Sequence, residues 1–410
     1  MIGTTRESRA LDLGVACAPM ALLVAIHASR PLYLGHVDDA MQALYALDIV
    51  ANGNWILPHA FGTVVPSAPP LYAWLSVAAA HALGGISEAS CRAPGLVAAL
   101  GVAVCAHRLA RDRLGALAGV LAAWGVAVTM ATLGTLLRAD PHTLLALGIG
   151  LAALGLQRLD RGRTQGGAAL AWLGLSVATL AAGAVGPPLV LAPVLVLAAA
   201  APARARRLVA ALRSRWACCA LAPLGWLVLG VAVGGSPWLT EVFLPSATPS
   251  RELVIAACVL TLGAGLVSHT AVRRLDRIPE AAGLVAGGAA ALAVAATLGQ
   301  VLSEPPTPPD AREFAARVLG VDRAGVRTRI LAGVPAPVYF HLRHRDAPLT
   351  VLELAAFDRV APAPTGALLV CDESTRDALD QRWPTRFRVV LESEPSAATG
   401  RLSLLEDVRR

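Results

Sequence analysis

Apolar runs of spanning length recur through the first three-quarters of this chain, near residues 10–29, 91–107, 114–134, 141–157, 167–184, 186–202, 216–234, 252–271 and 281–301. A helix needs about 20 apolar residues to cross a bilayer, so the pattern predicts about nine spanning helices. The turns between them sort by charge. Arg-bearing turns fall at 108–113, 158–163, 204–215 and 273–277, and basic-poor ones at 33–67, 138–141, 185–188 and 235–250. With the N-terminus inside, the two sets alternate as the positive-inside bias requires. That alternation holds only if the apolar run 68–85 does not span. This run opens on prolines and carries Tyr72, Trp74 and His81, which suits a helix lying along the membrane surface. Residues 39–51, with apolar positions at helical spacing, predict a second interfacial helix.

The pattern changes after residue 302. Residues 303–309 read as a stiff Pro-rich linker. Beyond it, short apolar runs at 328–332, 349–354, 367–371, 387–391 and 402–405 alternate with helical patterns at 311–319, 337–343 and 373–383. Strands alternating with helices predict a small α/β domain over 310–410. It has no Gly-rich phosphate loop and no nucleophile elbow. The predicted fold class is thus mainly α: a polytopic membrane bundle over 1–302, with external loop 30–67 and two interfacial helices, followed by an external α/β domain.

Composition agrees. The 410 residues are 56% hydrophobic and 15% charged, with a mean hydropathy of +0.60, which marks an integral membrane protein. The net charge of +7 belongs to the turns: from Glu304 onward 15 Arg balance 15 acidic residues. Nucleic acid is therefore not an expected partner; the lipid bilayer is. All 35 basic residues are Arg, in keeping with a GC-rich coding sequence. Cys17, Cys91, Cys105, Cys218, Cys219 and Cys258 lie in or beside apolar segments and Cys371 stands alone in the tail, so no disulfide framework is expected. The first apolar run lacks a small-x-small cleavage pattern and reads as an uncleaved helix.

The chemistry-bearing positions cluster early. Asp38-Asp39 follow the first apolar segment. Two carboxylates at a water–lipid boundary serve either as a helix cap or as a general base for an attacking hydroxyl. Arg138-Ala139-Asp140 precedes Pro141 in another external turn. It reads either as a local ion pair, with Asp140 capping a helix that Pro141 opens, or as an arginine on a phosphate with a carboxylate beside it. His36, His59, His142 and His341 lack a paired ligand spacing, so no metal site is expected, and no cofactor. The run 339–343 reads as core packing in the tail.

Taken in order, these elements resemble the GT-C type membrane glycosyltransferases of family 39, the protein O-mannosyltransferases, and their relative lipid A aminoarabinose transferase. Asp38-Asp39 is followed by the Gly-x-Trp-x-x-Pro step Gly53 to Pro58 and by Pro69-Pro70-Leu71-Tyr72-Ala73-Trp74. Gly85-x-Ser87-Glu88 with Arg92, the Arg138-x-Asp140 turn, Gly186-Pro187 and Pro237-Trp238 come after these. The likeness is dense over 35–140 and thin afterwards. It implies transfer of a sugar from a polyprenyl-phosphate carrier to a hydroxyl or phosphate on a lipid, glycan or protein acceptor, at the external face of a bacterial inner membrane. In that reading Asp38, Asp39 and Asp140 are catalytic, while Arg30, Arg92, Arg138, Tyr72 and Trp74 hold the donor and its phosphate. Two departures are plain: Ala68 and Val185 stand where the family carries Lys. The alternative is accordingly a GT-C-like chain that no longer transfers sugar and acts as a lipid-binding or assembly subunit. A transporter fits less well, because the helix count is odd and no inverted repeat is visible.

Overall fold

A computed structural model of the chain describes residues 6–28, 37–60, 69–132, 136, 139, 141–183, 186–191, 209–210, 212, 215–243, 310–321, 328–331, 338, 340, 342, 351–352, 368–383, 386–393 and 401–407. Its helices are α1 (Arg6–Ala28), α2 (Val37–Asn52), α3 (Leu71–Leu83), α4 (Glu88–Leu114), α5 (Ala116–Thr132), α6 (His142–Asp160) and α7 (Thr164–Ala182). A 3-10 turn, Arg215–Ala220, then leads into α8 (Leu221–Phe243). Six of the expected spans thus appear as helices, and α2 and α3 occupy the two stretches expected at the surface. Only 186–191 of the sixth expected span is described, and the spans at 252–271 and 281–301 lie outside the described residues. Among the described residues, Glu88–Leu114, His142–Asp160, Gln165–Ala182 and Ala217–Gly234 are long and apolar enough to cross a membrane.

Helix α4 is the spine of the bundle. Its 27 residues reach about 40 Å at 1.5 Å per residue, and α1, α3, α5 and α6 all pack on it. Small residues let α6 and α7 meet at backbone distance. Gly148 and Gly155 of α6 abut Gly174, Ala178, Gly167 and Ala171 of α7 so closely that a methyl at either glycine would meet backbone nitrogen and oxygen within 3 Å. Close approach through small residues is how helices gain dispersion contact in a membrane, where no hydrophobic effect drives them together.

Two Arg-bearing turns, 108–113 and 158–163, meet at one end of this bundle. Arg111, near the end of α4, pairs with Asp12 of α1 at 2.8 Å, and Arg161, just past α6, pairs with Asp112 at 2.8 Å. Helices α2 and α3 sit at the other end, where α4 begins.

The C-terminal part holds α9 (Asp310–Val321), β1 (Thr328–Leu331), β2 (Val351–Leu352), β3 (Leu368–Asp372), α10 (Glu373–Arg382), β4 (Phe387–Glu392) and β5 (Leu402–Asp407). The strands form a mixed sheet in the order β2-β1-β3-β5-β4. β1 pairs in parallel with β2 and β3, whereas β5 is antiparallel to both β3 and β4. Strand alternation splits the sheet into two faces. Leu369, Cys371 and Leu405 pack with Leu379 of α10. On the opposite face, Leu368, Val370, Leu402 and Leu404 share one continuous core with Phe314 and Val318 of α9, with Phe340 and Leu342, and with Leu44, Ile49, Val77 and Ala80 of α2 and α3. Phe340 and Leu342 are therefore core, as expected for 339–343. The sheet domain and the α2–α3 layer share their interior.

Candidate functional site

The end of the bundle that carries α2 and α3 is assembled by tight local structure. Gly84 ends α3 in the left-handed conformation (φ 85°), with its N–H bonded to the Ala80 carbonyl. Three residues later Ser87 caps α4: its Oγ accepts from the Ser90 N–H at 3.2 Å, while Ser90 Oγ accepts from the Ser87 N–H at 2.8 Å. This reciprocal cap fixes the first turn of α4. It sets Glu88 at the helix start and Arg92 one turn on, turned inward and only 3% exposed. Tyr72, at the start of α3, is fully buried, and with Glu88 it is an electrostatic neighbour of the Arg92 guanidinium. The Gly-x-Ser-Glu-x-x-x-Arg pattern thus has a physical content: a turn, a cap and a buried cation.

Tyr72 shares a core with Ala98 of α4, Leu144 and Leu145 of α6, Ala178 of α7, and Ala139. Ala139 therefore belongs to the same buried cluster as the tyrosine. Arg138 and Asp140, on either side of Ala139, lie outside the described residues, as does Arg30. Asp38 and Asp39 fall in the first turn of α2. Helix α6 begins at His142, with Pro141 as its cap and the Leu145 N–H bonded to the Pro141 carbonyl at 3.1 Å. The start is one residue later than the sequence pattern placed it: the Pro141 carbonyl accepts from the Leu145 N–H, which makes Pro141, with its helical dihedrals (φ −63°, ψ −18°), the cap rather than the first helical residue.

A second constellation escaped the sequence reading. Asp48, near the end of α2, is 2% exposed. Its Oδ1 accepts from Asn52 Nδ2 at 2.6 Å, and its Oδ2 accepts from Asn54 Nδ2 at 2.9 Å and from the His59 backbone N–H at 2.7 Å. The His59 ring stands 3.8 Å from the same oxygen. Between these donors the chain turns at Gly53 (φ 71°) and runs as a strap over residues 53–59. Two indoles fasten that strap by its backbone: Trp74 of α3 donates to the Trp55 carbonyl at 2.7 Å, and Trp226 of α8 to the Ile56 carbonyl at 3.2 Å. Leu57 is buried against Leu180 and Trp226. The Gly-x-Trp-x-x-Pro step is this strap, and Trp74 spends its N–H on holding it. An acidic residue six positions before an Asn, across a Gly turn, was the available signal; the amphipathic pattern of α2 masked it.

Neither a protein-family model nor a curated protein sequence matches the chain. Solved structures do. ArnT from Cupriavidus metallidurans in the apo state superposes with a TM-score of 0.61 at 17% sequence identity, covering 97% of this chain and 98% of that one. This chain has the ArnT fold. The same enzyme bound to undecaprenyl phosphate superposes with a TM-score of 0.55 at 16% identity, covering 98% of each chain. ArnT is the lipid A aminoarabinose transferase that the motifs of the first third resemble, so the expected fold is the one found. The ArnT-like match runs the full length, through both the bundle and the sheet domain.

Proposed function

We propose that this chain is a membrane glycosyltransferase that moves a sugar from a polyprenyl-phosphate carrier to a hydroxyl or phosphate acceptor at the external face of a bacterial inner membrane. The observation that carries the reading is the end-to-end likeness to ArnT, one of whose structures holds undecaprenyl phosphate. It is supported by the motif order over 35–140 and by a buried arginine and tyrosine at the end of the bundle that carries α2 and α3. The Arg-bearing turns at the opposite end favour an external setting for α2, α3 and the sheet domain.

In this reading a carboxylate of Asp38, Asp39 or Asp140 takes the proton from the acceptor hydroxyl as its oxygen attacks the anomeric carbon of the sugar. The bond from that carbon to the carrier phosphate breaks, and the phosphate leaves with the electron pair. The leaving group is already anionic, so it needs cations more than a proton. Arg92, Arg138 and Arg30 supply them, in a chain without lysine. Tyr72 and Trp74 line the donor side.

The test is sugar transfer from a radiolabelled polyprenyl-phosphate donor by membranes containing the wild type, Asp38→Asn, Asp39→Asn or Asp140→Asn at matched protein level. Loss of a general base costs about 10²–10⁴-fold, and a loss of that size in at least one variant is expected. Wild-type membranes that bind polyprenyl phosphate yet transfer no sugar from any donor would overturn the proposal.

A further inference from the structure

The Asp48 carboxylate is unusual in two respects. It is nearly buried, and it lies toward the C-terminal end of a helix, where the backbone dipole disfavours negative charge. A buried charge persists only where donors replace its water, and here three donors do so at 2.6, 2.7 and 2.9 Å. One of these, Asn52, belongs to α2 itself. The other two, the Asn54 amide and the His59 N–H, lie on the strap beyond Gly53. Asp48 therefore closes the strap onto the end of α2, and Trp74 and Trp226 bolt the middle of the same strap to α3 and α8. The opposite end of α2 carries Asp38 and Asp39. Ten residues of α-helix separate Asp38 from Asp48, about 15 Å at 1.5 Å per residue, and a helix is stiff over that length. Whatever fixes the Asp48 end also constrains the backbone of residues 38 and 39 at the start of the same helix.

We infer that Asp48 is a positioning residue for sugar transfer, setting the placement of the Asp38-Asp39 pair through α2 without touching substrate. The inference rests on the glycosyltransferase reading above. The chemistry of the latch dictates how substitutions grade. Asp48→Ala leaves the strap donors without an acceptor and releases the strap. Asp48→Asn is milder, because its oxygen, placed as Oδ2, accepts from both the His59 N–H and the Asn54 amide, while only the Asn52 amide must turn to offer its oxygen to the new NH2. Asp48→Glu has the charge but is one methylene too long for the buried site. His59→Ala retains the backbone N–H that makes the bond, so it leaves the latch closed.

The experiment uses the full chain purified in detergent, with two readouts. The first is amide hydrogen exchange. In Asp48→Ala, residues 53–59 and the first turn of α2 are expected to exchange faster while α4, α6 and α7 exchange as in the wild type. The second is transfer kinetics. A misplacement near 1 Å costs about 10²-fold, so kcat falls by that order with KM unchanged, Asp48→Asn recovers part of the loss and His59→Ala retains wild-type kcat. A loosened strap with unchanged kcat overturns the positioning role, and so does loss of kcat in His59→Ala. Exchange in Asp48→Ala identical to the wild type overturns the latch itself. A wild-type chain that transfers no sugar overturns the glycosyltransferase reading, and the positioning role with it, even where exchange shows the latch opening.

Discussion

Replacing Gly155 by alanine tests the close packing of α6 on α7. A methyl built there lies 2.3 Å from the Ala171 nitrogen and 2.7 Å from the Gly167 oxygen, whereas ordinary contact begins at 3.4 Å. The shortfall is 3.4 − 2.3 = 1.1 Å, and both obstacles are backbone, which cannot rotate aside. Helices α6 and α7 must therefore part by about 1 Å, a gap that forfeits a quarter to a half of the attraction between facing atoms. Overpacking of this kind costs about 1–3 kcal/mol. Taking about 2 kcal/mol, and about 2 °C of melting temperature per kcal/mol for a large domain, Gly155→Ala should melt about 4 °C below the wild type. Gly166 provides the control: it sits in the first turns of α7 with nothing within 4 Å of the added methyl. Gly166→Ala should be neutral or raise stability by up to about 1 kcal/mol, through lower backbone entropy in the unfolded chain. The assay is the fraction of detergent-purified protein that stays monodisperse after heating. A Gly155→Ala midpoint at or above that of Gly166→Ala would refute the close-packed reading of the α6–α7 pair.

Other expectations follow from the capping and burial of particular groups. Ser87→Ala removes one half of the reciprocal cap on α4 and should cost about 1 kcal/mol, read as a lowered melting midpoint. Trp226→Phe should free the Ile56 carbonyl at a cost of about 1 kcal/mol, with faster amide exchange confined to the strap. Burial pushes the Cys371 thiol from its ordinary 9.0 up to about 12, so at pH 8 alkylation mapped by mass spectrometry should spare Cys371 in the folded chain and modify it once the chain is unfolded. Between those two values the unfolded chain loses its proton first, so this group lowers stability as pH rises through that window. Asp372 caps α10, and although burial opposes its ionisation, hydrogen bonds from Thr375 and Ser374 hold it below its ordinary 3.8. A depressed carboxyl contributes stability above its unfolded value and loses it as pH falls. The melting gap between wild type and Asp372→Ala should therefore be full at pH 7 and shrink below about pH 4.

The elements were far more legible in the sequence than their arrangement. Periodicity located α2 and α3, and the sidedness of the Arg-bearing turns kept residues 68–85 from being read as a span. In the tail the five apolar runs correspond to the five strands, because alternation along a strand is a local property. The strand order was not legible: β5 inserts between β3 and β4, a choice made by contacts between distant residues. The site divides in the same way. Arg92, Tyr72 and the Asp pair were found as motif members, whereas Asp48 looked like one more polar residue on an amphipathic helix. Its role depends on Asn54 and His59 arriving from across a glycine turn, and no single-helix pattern carries that. Trp74 was read as a motif member, but the bond from its N–H to the Trp55 carbonyl, a partner 19 residues away, was not legible.

The strap is recognised by its main chain. Trp74 and Trp226 bond to carbonyls that every amino acid possesses, and the His59 contact with Asp48 that closes it is also a backbone N–H. Evolution can therefore rewrite side chains at 55, 56 and 59 while the junction persists, provided the two indoles, the acid and the glycine turn remain. Fastening a fold by its backbone leaves the sequence of the strap free to change before its shape does.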